Sequence, residues 1–255
     1  MTVTDVNVVK SAIFERPDDA NKGTLGSLLC VCGSYGMAGA AVMSAKGALR
    51  TGIGLAKCAL PRSIYPIVAQ TILESVYYPL SENADGRISK VNVPFLVSES
   101  CKSSATLVGC GLGVCDDTLK IVFSLIENST TPLVLDADAL NCVAKQPEIL
   151  LRKKAPIIIT PHPGEMSRLT GLATPLVNAE RKRVALDFAQ KYGVVTVLKG
   201  AGTVIASPNG KVLVNPTGNS GMATGGSGDV LAGMTASILA QGASAFSSAA
   251  AAVYL

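Results

Sequence analysis

Leu28-Leu-Cys-Val-Cys32 runs directly into Gly33-Ser-Tyr-Gly36-Met-Ala-Gly39, and from Gly39 to Arg50 the residues Ala41, Ala45, Ala48 and Leu49 recur at helical spacing. The first run is apolar and β-compatible, the second is a glycine turn, and the third is a helix with a small-residue face. Strand, turn and helix in that order are half of a parallel crossover unit. The same order recurs along the chain. Leu55–Ala59, Glu74–Tyr78, Ala105–Val108, Leu133–Leu135, Pro156–Thr160 and Val194–Leu198 are further strand candidates, with helical patterns between them, notably Asp117–Glu127 and Asn178–Tyr192. Strands that are continuous Val/Ile/Leu runs are buried on both faces, so the pattern predicts a mostly parallel sheet between two helical layers. Thr203–Ala206 and Val212–Val214 flank Ser207-Pro-Asn-Gly210, which predicts an antiparallel hairpin at the end of that sheet. Two helices, Gly225–Gln241 and Ser244–Leu255, are expected to close the chain.

The composition supports a large buried core. Of 255 residues, 48% are hydrophobic and 16% charged, which also favours an oligomer interface. Tryptophan is absent, so aliphatic side chains build the interior. The net charge of +4 is modest, and the basic runs Arg152-Lys-Lys154 and Arg181-Lys-Arg183 are expected to be solvated helix faces, which argues against nucleic-acid binding. Seven cysteines without a C-x-x-C pair, and a single histidine, argue against a zinc site. Cys30 and Cys32 are expected to share one face of a buried strand. No signal-peptide pattern and no membrane-length apolar run is present, which predicts a soluble, cytoplasmic protein. No repeat or linker divides residues 1–255, so one domain is expected. The chain stops inside an apolar helical pattern, which predicts truncation at the C-terminus.

Chemistry concentrates at turns. Asn215-Pro-Thr-Gly-Asn-Ser-Gly-Met-Ala-Thr-Gly-Gly-Ser-Gly-Asp229 precedes the helix that begins Val230-Leu-Ala-Gly-Met. A helix start carries unpaired N–H groups and the positive end of the macrodipole. Gly225, Gly226, Ser227 and Gly228 would let a phosphate approach those donors, forming an anion hole. Asp229 in the first turn would lie beside that phosphate, as a base that activates a hydroxyl for phosphoryl transfer. A simple helix cap is the alternative for a lone motif of this kind. No G-x-x-x-x-G-K-[ST] is present, which excludes a Walker P-loop, and Gly33, Gly36 and Gly39 do not have the dinucleotide-fingerprint spacing.

Four more turns follow strands. Gly109-Cys-Gly-Leu-Gly113 would admit a ligand close to the backbone. In Asp136-Ala-Asp138-Ala-Leu-Asn141, Asp136 could hold Mg²⁺ through water, and Asp138 could do the same or cap a short helix. Thr160-Pro-His-Pro-Gly-Glu165 fixes His162 in a rigid loop, with Glu165 a helix cap or a ligand to a metal-bound water. Lys199-Gly-Ala-Gly-Thr203 could meet a nucleotide phosphate or form a tight turn.

Lys22-Gly-Thr, Gly33 to Ala41, Asp136 to Asn141, Thr160 to Glu165, Lys199-Gly-x-x-Thr203 and Asn215 to Asp229 occur in this order. Together they resemble the ADP/ATP-dependent NAD(P)H-hydrate dehydratases of the ribokinase-like superfamily, over nearly the whole chain. The resemblance implies a three-layer α/β/α sandwich. It implies repair of the S epimer of hydrated NADH or NADPH: ADP or ATP phosphorylates the ring hydroxyl, with Mg²⁺, and phosphate is then eliminated. Carried over by motif, Ala40, Gly111, His162 and Asp229 contact the hydrated dinucleotide. Lys199, Gly200, Ala201, Gly202, Thr203 and Gly228 contact the adenine nucleotide. A homo-oligomer, often a tetramer, and a separate NAD(P)H-hydrate epimerase are the implied partners. Asn21 stands where the family often has His, and Cys110 replaces the usual Pro of a G-P-G turn. The alternatives are a ribokinase-like kinase of a small alcohol or vitamin precursor, and a nucleotide-binding regulator without catalysis.

Overall fold

The structure, a computed structural model, describes residues 3–13 and 15–255. Its nine strands are β1 (Ser27–Val31), β2 (Leu55–Pro61), β3 (Val76–Leu80), β4 (Ala105–Val108), β5 (Leu133–Leu135), β6 (Ile157–Ile159), β7 (Val195–Leu198), β8 (Val204–Ala206) and β9 (Val212–Val214). Its α-helices are α1 (Val6–Ala12), α2 (Ala38–Arg50), α3 (Tyr65–Thr71), α4 (Val93–Cys101), α5 (Asp116–Asn128), α6 (Asp138–Val143), α7 (Pro163–Thr170), α8 (Thr174–Ala179), α9 (Arg181–Tyr192), α10 (Ser227–Ala240) and α11 (Ala245–Tyr254). The strands form one sheet in the order β3-β2-β1-β4-β5-β6-β7-β8-β9. β1 to β7 pair in parallel, and β8 and β9 pair antiparallel at the edge, as the turn at Ser207–Gly210 predicts.

Alternate residues of each strand enter different cores. Leu29, Val31, Leu133, Leu135, Ile157 and Ile159 pack under α4 to α9. Leu28, Cys30, Cys32, Cys58, Val134 and Ile158 pack under α2, α3, α10 and α11, so Cys30 and Cys32 do share a buried face. Both faces are covered, which is why the strands are continuously apolar. This is the three-layer ribokinase-like sandwich expected. Among the described residues no helix is long and apolar enough to cross a membrane.

Two expectations shift. The helix expected over Asn178–Tyr192 is two helices, because Glu180 leaves helical geometry (φ −121°, ψ 34°) and lets Val177 and the Val184/Ala185/Phe188 face bury independently. The strand expected at Glu74–Tyr78 lies at Val76–Leu80, in register with Lys57–Pro61.

Two features of the fold position the site. First, sequential strands run outward in opposite directions from β1 and β4. The loops after those two strands therefore flank the crevice where open α/β sheets bind ligands. Second, α10 docks backbone to backbone on α2. A Cβ at Gly233 would stand 2.0 Å from the Ser44 carbonyl oxygen, and one at Gly47 would stand 2.7 Å from that of Val230. Any side chain at either position would force the helices apart. This contact brings the glycine turn before α10 against α2 itself, where Gly226 lies on the Met43 side chain.

Candidate active site

β4, β5, β6 and β7 are neighbours, and each ends at the same edge. Cys110 follows β4, Asp136 follows β5, Thr160 and His162 follow β6, and Lys199 follows β7. Gly109 makes the first junction possible. It has φ +127°, and a Cβ there would meet the Asp136 carbonyl oxygen at 1.9 Å. The next turn is strained at Ala137, the only non-glycine with positive φ (49°) among the described residues. Such strain persists only where the surroundings over-determine it, and here it sends Asp136 into the crevice while α6 starts one residue later.

Asp136 is only 2% exposed and is the hub of the site. Its Oδ1 accepts from Lys199 Nζ at 2.6 Å and from Thr160 Oγ1 at 2.7 Å. Its Oδ2 accepts from the Cys110 thiol at 3.8 Å. Lys199 Nζ also lies 3.9 Å from Glu165 Oε2. Burial pulls the Lys199 ammonium down, but Asp136 and Glu165 outweigh it and its pKa ends above the usual lysine value.

The ammonium also faces the start of α10. A Cβ at Gly228 would stand 3.4 Å from Lys199 Nζ. Gly226 holds φ +92° as the residue before that helix, and the first helical bond there runs from Val230 N–H to the Gly226 carbonyl. The N–H groups of Ser227, Gly228 and Asp229 therefore have no partner within the helix. Gly226, Ser227 and Gly228 thus form the turn and first residues of α10, and a Cβ at Gly225 would meet nothing within 4 Å. Asp229 is half-buried on the first turn of α10, and a carboxylate oxygen of it, one of Asp136 and the Cys110 sulfur lie within 4.8 Å of one another. Burial and then the Asp136 charge raise the Asp229 pKa, with a hydrogen bond from Cys110 opposing them.

His162 and Glu165 form a reciprocal cap on α7. His162 Nδ1 accepts from Gly164 N–H at 3.0 Å and Glu165 N–H at 3.3 Å, while Glu165 Oε2 accepts from His162 N–H at 2.8 Å. With Nδ1 an acceptor, neutral imidazole carries its proton on Nε2, which lies 3.4 Å from Glu165 Oε1. Burial, then Lys199 and Arg168, lower the His162 pKa. Burial raises that of Glu165. The cap reading of Glu165 is the one realised.

Asp136 and Glu165, expected to reach Mg²⁺ through water, both lie beside the Lys199 ammonium. One expectation changes here. Asp138 is not the N-cap of α6, since Ala137 holds that place without a side-chain bond. Asp138 Oδ2 instead accepts from Gly113 N–H at 2.8 Å and ties the β4–α5 loop to the start of α6.

The remaining candidates divide cleanly. Ala40 and Gly111 are brought together, for a Cβ at Gly111 would stand 2.7 Å from that of Ala40. Lys199–Thr203 forms a loop with a cavity of about 740 Å³ on its outer side, lined by Ala201, Gly202, Val204, Val214 and Arg181 among others. Arg181 Nη2 donates to the Leu198 carbonyl at 2.8 Å and braces that loop. Asn215, which opens the quoted motif, is an anchor: it bonds Thr4 at 2.6 Å and the Val253 carbonyl at 2.9 Å. Lys22-Gly-Thr lies at the opposite edge of the sheet, before β1, where the Lys22 carbonyl leaves no room for a side chain at Gly54. Thr160 and Cys110 carry roles in the carboxylate cluster that the sequence did not assign to them. Thr160 had no signal beyond its place at the end of a buried strand, and Cys110 none beyond its departure from the G-P-G turn.

Comparison with known proteins agrees with this geometry. A family model described as NAD(P)H-hydrate dehydratase matches residues 28–255. The chain is 39% identical over 233 residues to a bifunctional NAD(P)H-hydrate repair enzyme of Moorella thermoacetica, covering 91% of this chain and 44% of that protein. It thus spans less than half the length of such bifunctional relatives. It is 35% identical to the ADP-dependent (S)-NAD(P)H-hydrate dehydratase of Neisseria meningitidis, covering 94% of this chain and 78% of that one. The crystal structure of the ADP/ATP-dependent NAD(P)H-hydrate dehydratase of Bacillus subtilis, co-crystallized with ATP/Mg²⁺, superposes with a TM-score of 0.82 at 31% identity, over 98% of this chain and 84% of that one. A glycine-lined helix start facing a lysine and an aspartate at the carboxyl edge of this sheet, and a family match that runs through every one of those residues, lead to one assignment: the chain belongs to the NAD(P)H-hydrate dehydratase family.

Proposed function

We propose that this protein restores hydrated NADH and NADPH by phosphorylating the ring hydroxyl of the S epimer and eliminating the phosphate. The observation that carries this reading is the Asp229 carboxylate beside the free N–H groups of α10, with the Lys199 ammonium facing the same helix start. Hydroxide is a poor leaving group and phosphate a good one, so a kinase-type site suits a dehydration. Asp229 takes the proton of the ring hydroxyl, whose oxygen attacks the terminal phosphoryl group of the nucleotide. The Ser227 and Gly228 amides and Lys199 stabilise the charge on the transferring group. ADP leaves as AMP, or ATP as ADP. The carbon–oxygen bond of the phosphorylated hydrate then breaks as the neighbouring ring carbon loses a proton, and phosphate departs with the former hydroxyl oxygen.

The nucleotide is held by Lys199–Thr203 and Gly228, with room for its nucleoside in the cavity beside Ala201 and Gly202. The Neisseria relative is named ADP-dependent, and we take ADP as the donor. His162, Ala40 and Gly111 border the place of the hydrated ring.

Mg²⁺ fits this donor set as a hydrated ion on the nucleotide phosphates, because only two carboxylates converge and the third donor is a thiol. When bound, it would neutralise phosphate charge beside Asp136 and Asp229. The chain selects the S epimer, so a separate epimerase is the expected partner for the R form.

The test uses hydrated NADH, Mg²⁺ and the purified protein with ADP, ATP or neither. Reduced-nicotinamide absorbance is expected to return only with a nucleotide, and fastest with ADP. Absence of recovery with both, alongside phosphorylation of a small alcohol, would replace this reading by a ribokinase-like kinase.

A further inference from the structure

The reacting end of the site holds little positive charge to spare. Lys199 is engaged by Asp136 and Glu165. Arg168, the other cation near His162, gives its Nε to Asn141 Oδ1 at 2.9 Å. A hydrated dinucleotide nevertheless brings a pyrophosphate and a second ribonucleoside, and these must lie away from the reacting ring.

Beyond Gly111 the crevice has a second wall. Residues Ser81 to Ser89 form a hairpin closed by the Glu82–Ile88 bridge, with its turn held by Asn83 Oδ1, which accepts from Asp85 N–H at 3.0 Å and Arg87 N–H at 3.1 Å. The hairpin tip is fastened to the glycine loop after β1, because Tyr35 N–H donates to the Gly86 carbonyl at 2.9 Å. Two glycines make room for two side chains. A Cβ at Gly113 would meet Arg87 Nε at 2.5 Å, and one at Gly86 would meet Tyr35 Cβ at 2.4 Å. Arg87 therefore lies across the β4–α5 loop, and Tyr35 stands beside the hairpin tip. The Tyr35 residue is 75% exposed. The Arg87 side chain is 31% exposed, and its Nη1 makes only long bonds, to Asp85 Oδ2 at 3.5 Å and to the Val114 carbonyl at 3.4 Å. A guanidinium held in place with weakly engaged donors is prepared for a bidentate anion. An uncovered phenol ring on an anchored backbone is prepared for a flat aromatic ring.

We propose that Tyr35 and Arg87 form the subsite for the half of the dinucleotide remote from the reacting ring, with Arg87 on the pyrophosphate and Tyr35 against the adenine. This rests on the dehydratase reading above and deepens it. Both residues border the loops that carry Ala40 and Gly111, so one extended ligand would run from Asp229 past Gly111 to the hairpin.

The experiment compares hydrated NADH with hydrated reduced nicotinamide mononucleotide, which lacks the adenylate half. For Arg87→Ala and Tyr35→Ala, KM for hydrated NADH is expected to rise about tenfold, the scale of one lost charge-assisted bond or stacking contact, with kcat unchanged. KM for the mononucleotide is expected to stay at the wild-type value, and Arg87→Lys to lose less than Arg87→Ala. Equal effects on both substrates, or none on hydrated NADH, would overturn the proposal. Equilibrium binding of NADH itself gives a readout independent of turnover. A wild-type protein that binds NADH, loses that binding on Arg87→Ala, and dehydrates neither hydrate would keep the subsite and remove the dehydratase reading. Unchanged NADH binding in both variants would remove the subsite.

Discussion

Replacing Asp229 by Asn is expected to cut kcat by about a thousandfold, within the range general bases contribute, while leaving the melting temperature near that of the wild type. Asn keeps the shape of the side chain and removes its ability to take a proton. Asn can still accept the hydrogen bond from Cys110, and the Asp229 charge lies near that of Asp136, so neutralising it removes a like-charge repulsion. Nucleotide binding is expected to persist, since the amides of Ser227 and Gly228 and the Lys199 ammonium are untouched. As the proposed base, the same residue is expected to set the acid limb of the pH profile. Burial and Asp136 raise its pKa above the usual aspartate value, and the base works only when ionised. Wild-type kcat/KM is therefore expected to fall at a higher pH than an ordinary aspartate would give, as acid protonates Asp229. That limb is absent from the residual activity of Asp229→Asn.

Lys199→Met carries the second large effect, on stability as well as on turnover. Asp136 is buried, and Lys199, with a side chain 17% exposed, is the only cation within an ion-pair distance of it among the described residues. Removing one partner of a buried pair strands the other charge, a change that costs about 3–5 kcal/mol. Thr160 and Cys110 remain as donors but bring no charge. The double variant Lys199→Met/Asp136→Asn leaves no stranded charge and is expected to recover most of the stability, though not the activity. Chemical denaturation of the three proteins measures this directly. The pH dependence has a fixed sign. The Lys199 pKa is raised in the fold, so the pair's contribution is full below the unfolded lysine value, about 10.4, and is lost as pH rises through the folded one. The double variant lacks that alkaline loss. A single variant as stable as the wild type would mean that the pair adds nothing to the stability of the fold.

The architecture was largely legible because burial on both faces wrote itself into the sequence. Leu133–Leu135 is apolar at every position and Ala105–Val108 at all but the buried Thr106, and both are strands with the expected bounds. The hairpin was legible from Ser207–Gly210, since Pro, Asn and Gly leave few alternatives to a turn. Short helices such as α3 and α4 were not anticipated. Each begins with proline near its first position and buries only one or two residues, so periodicity has little to act on.

The site was legible as a set of turns but not as a network. The strand–turn spacing places Asp136, His162 and Lys199 at one edge, whereas the Lys199–Asp136 bond joins residues 63 positions apart and depends on β5 and β7 flanking β6. Asp138 was misplaced for a related reason. Capping propensity favours it at a helix start, yet the strained turn at Ala137 moves the cap and frees Asp138 for Gly113. Cys110 stood out as a departure from a G-P-G turn, and only the fold shows that its thiol sits between two carboxylates.

In the proposed reaction, water leaves the substrate by way of a phosphate ester. Hydrated NADH labelled with ¹⁸O in the ring hydroxyl, turned over with ADP and Mg²⁺, tests it in one mass spectrum. Transfer to that oxygen followed by carbon–oxygen cleavage predicts that released phosphate carries one ¹⁸O per molecule of NADH restored. Label appearing in water, with unlabelled phosphate, would mean that hydroxide leaves directly, and the role assigned to Asp229 and the α10 anion hole would be wrong.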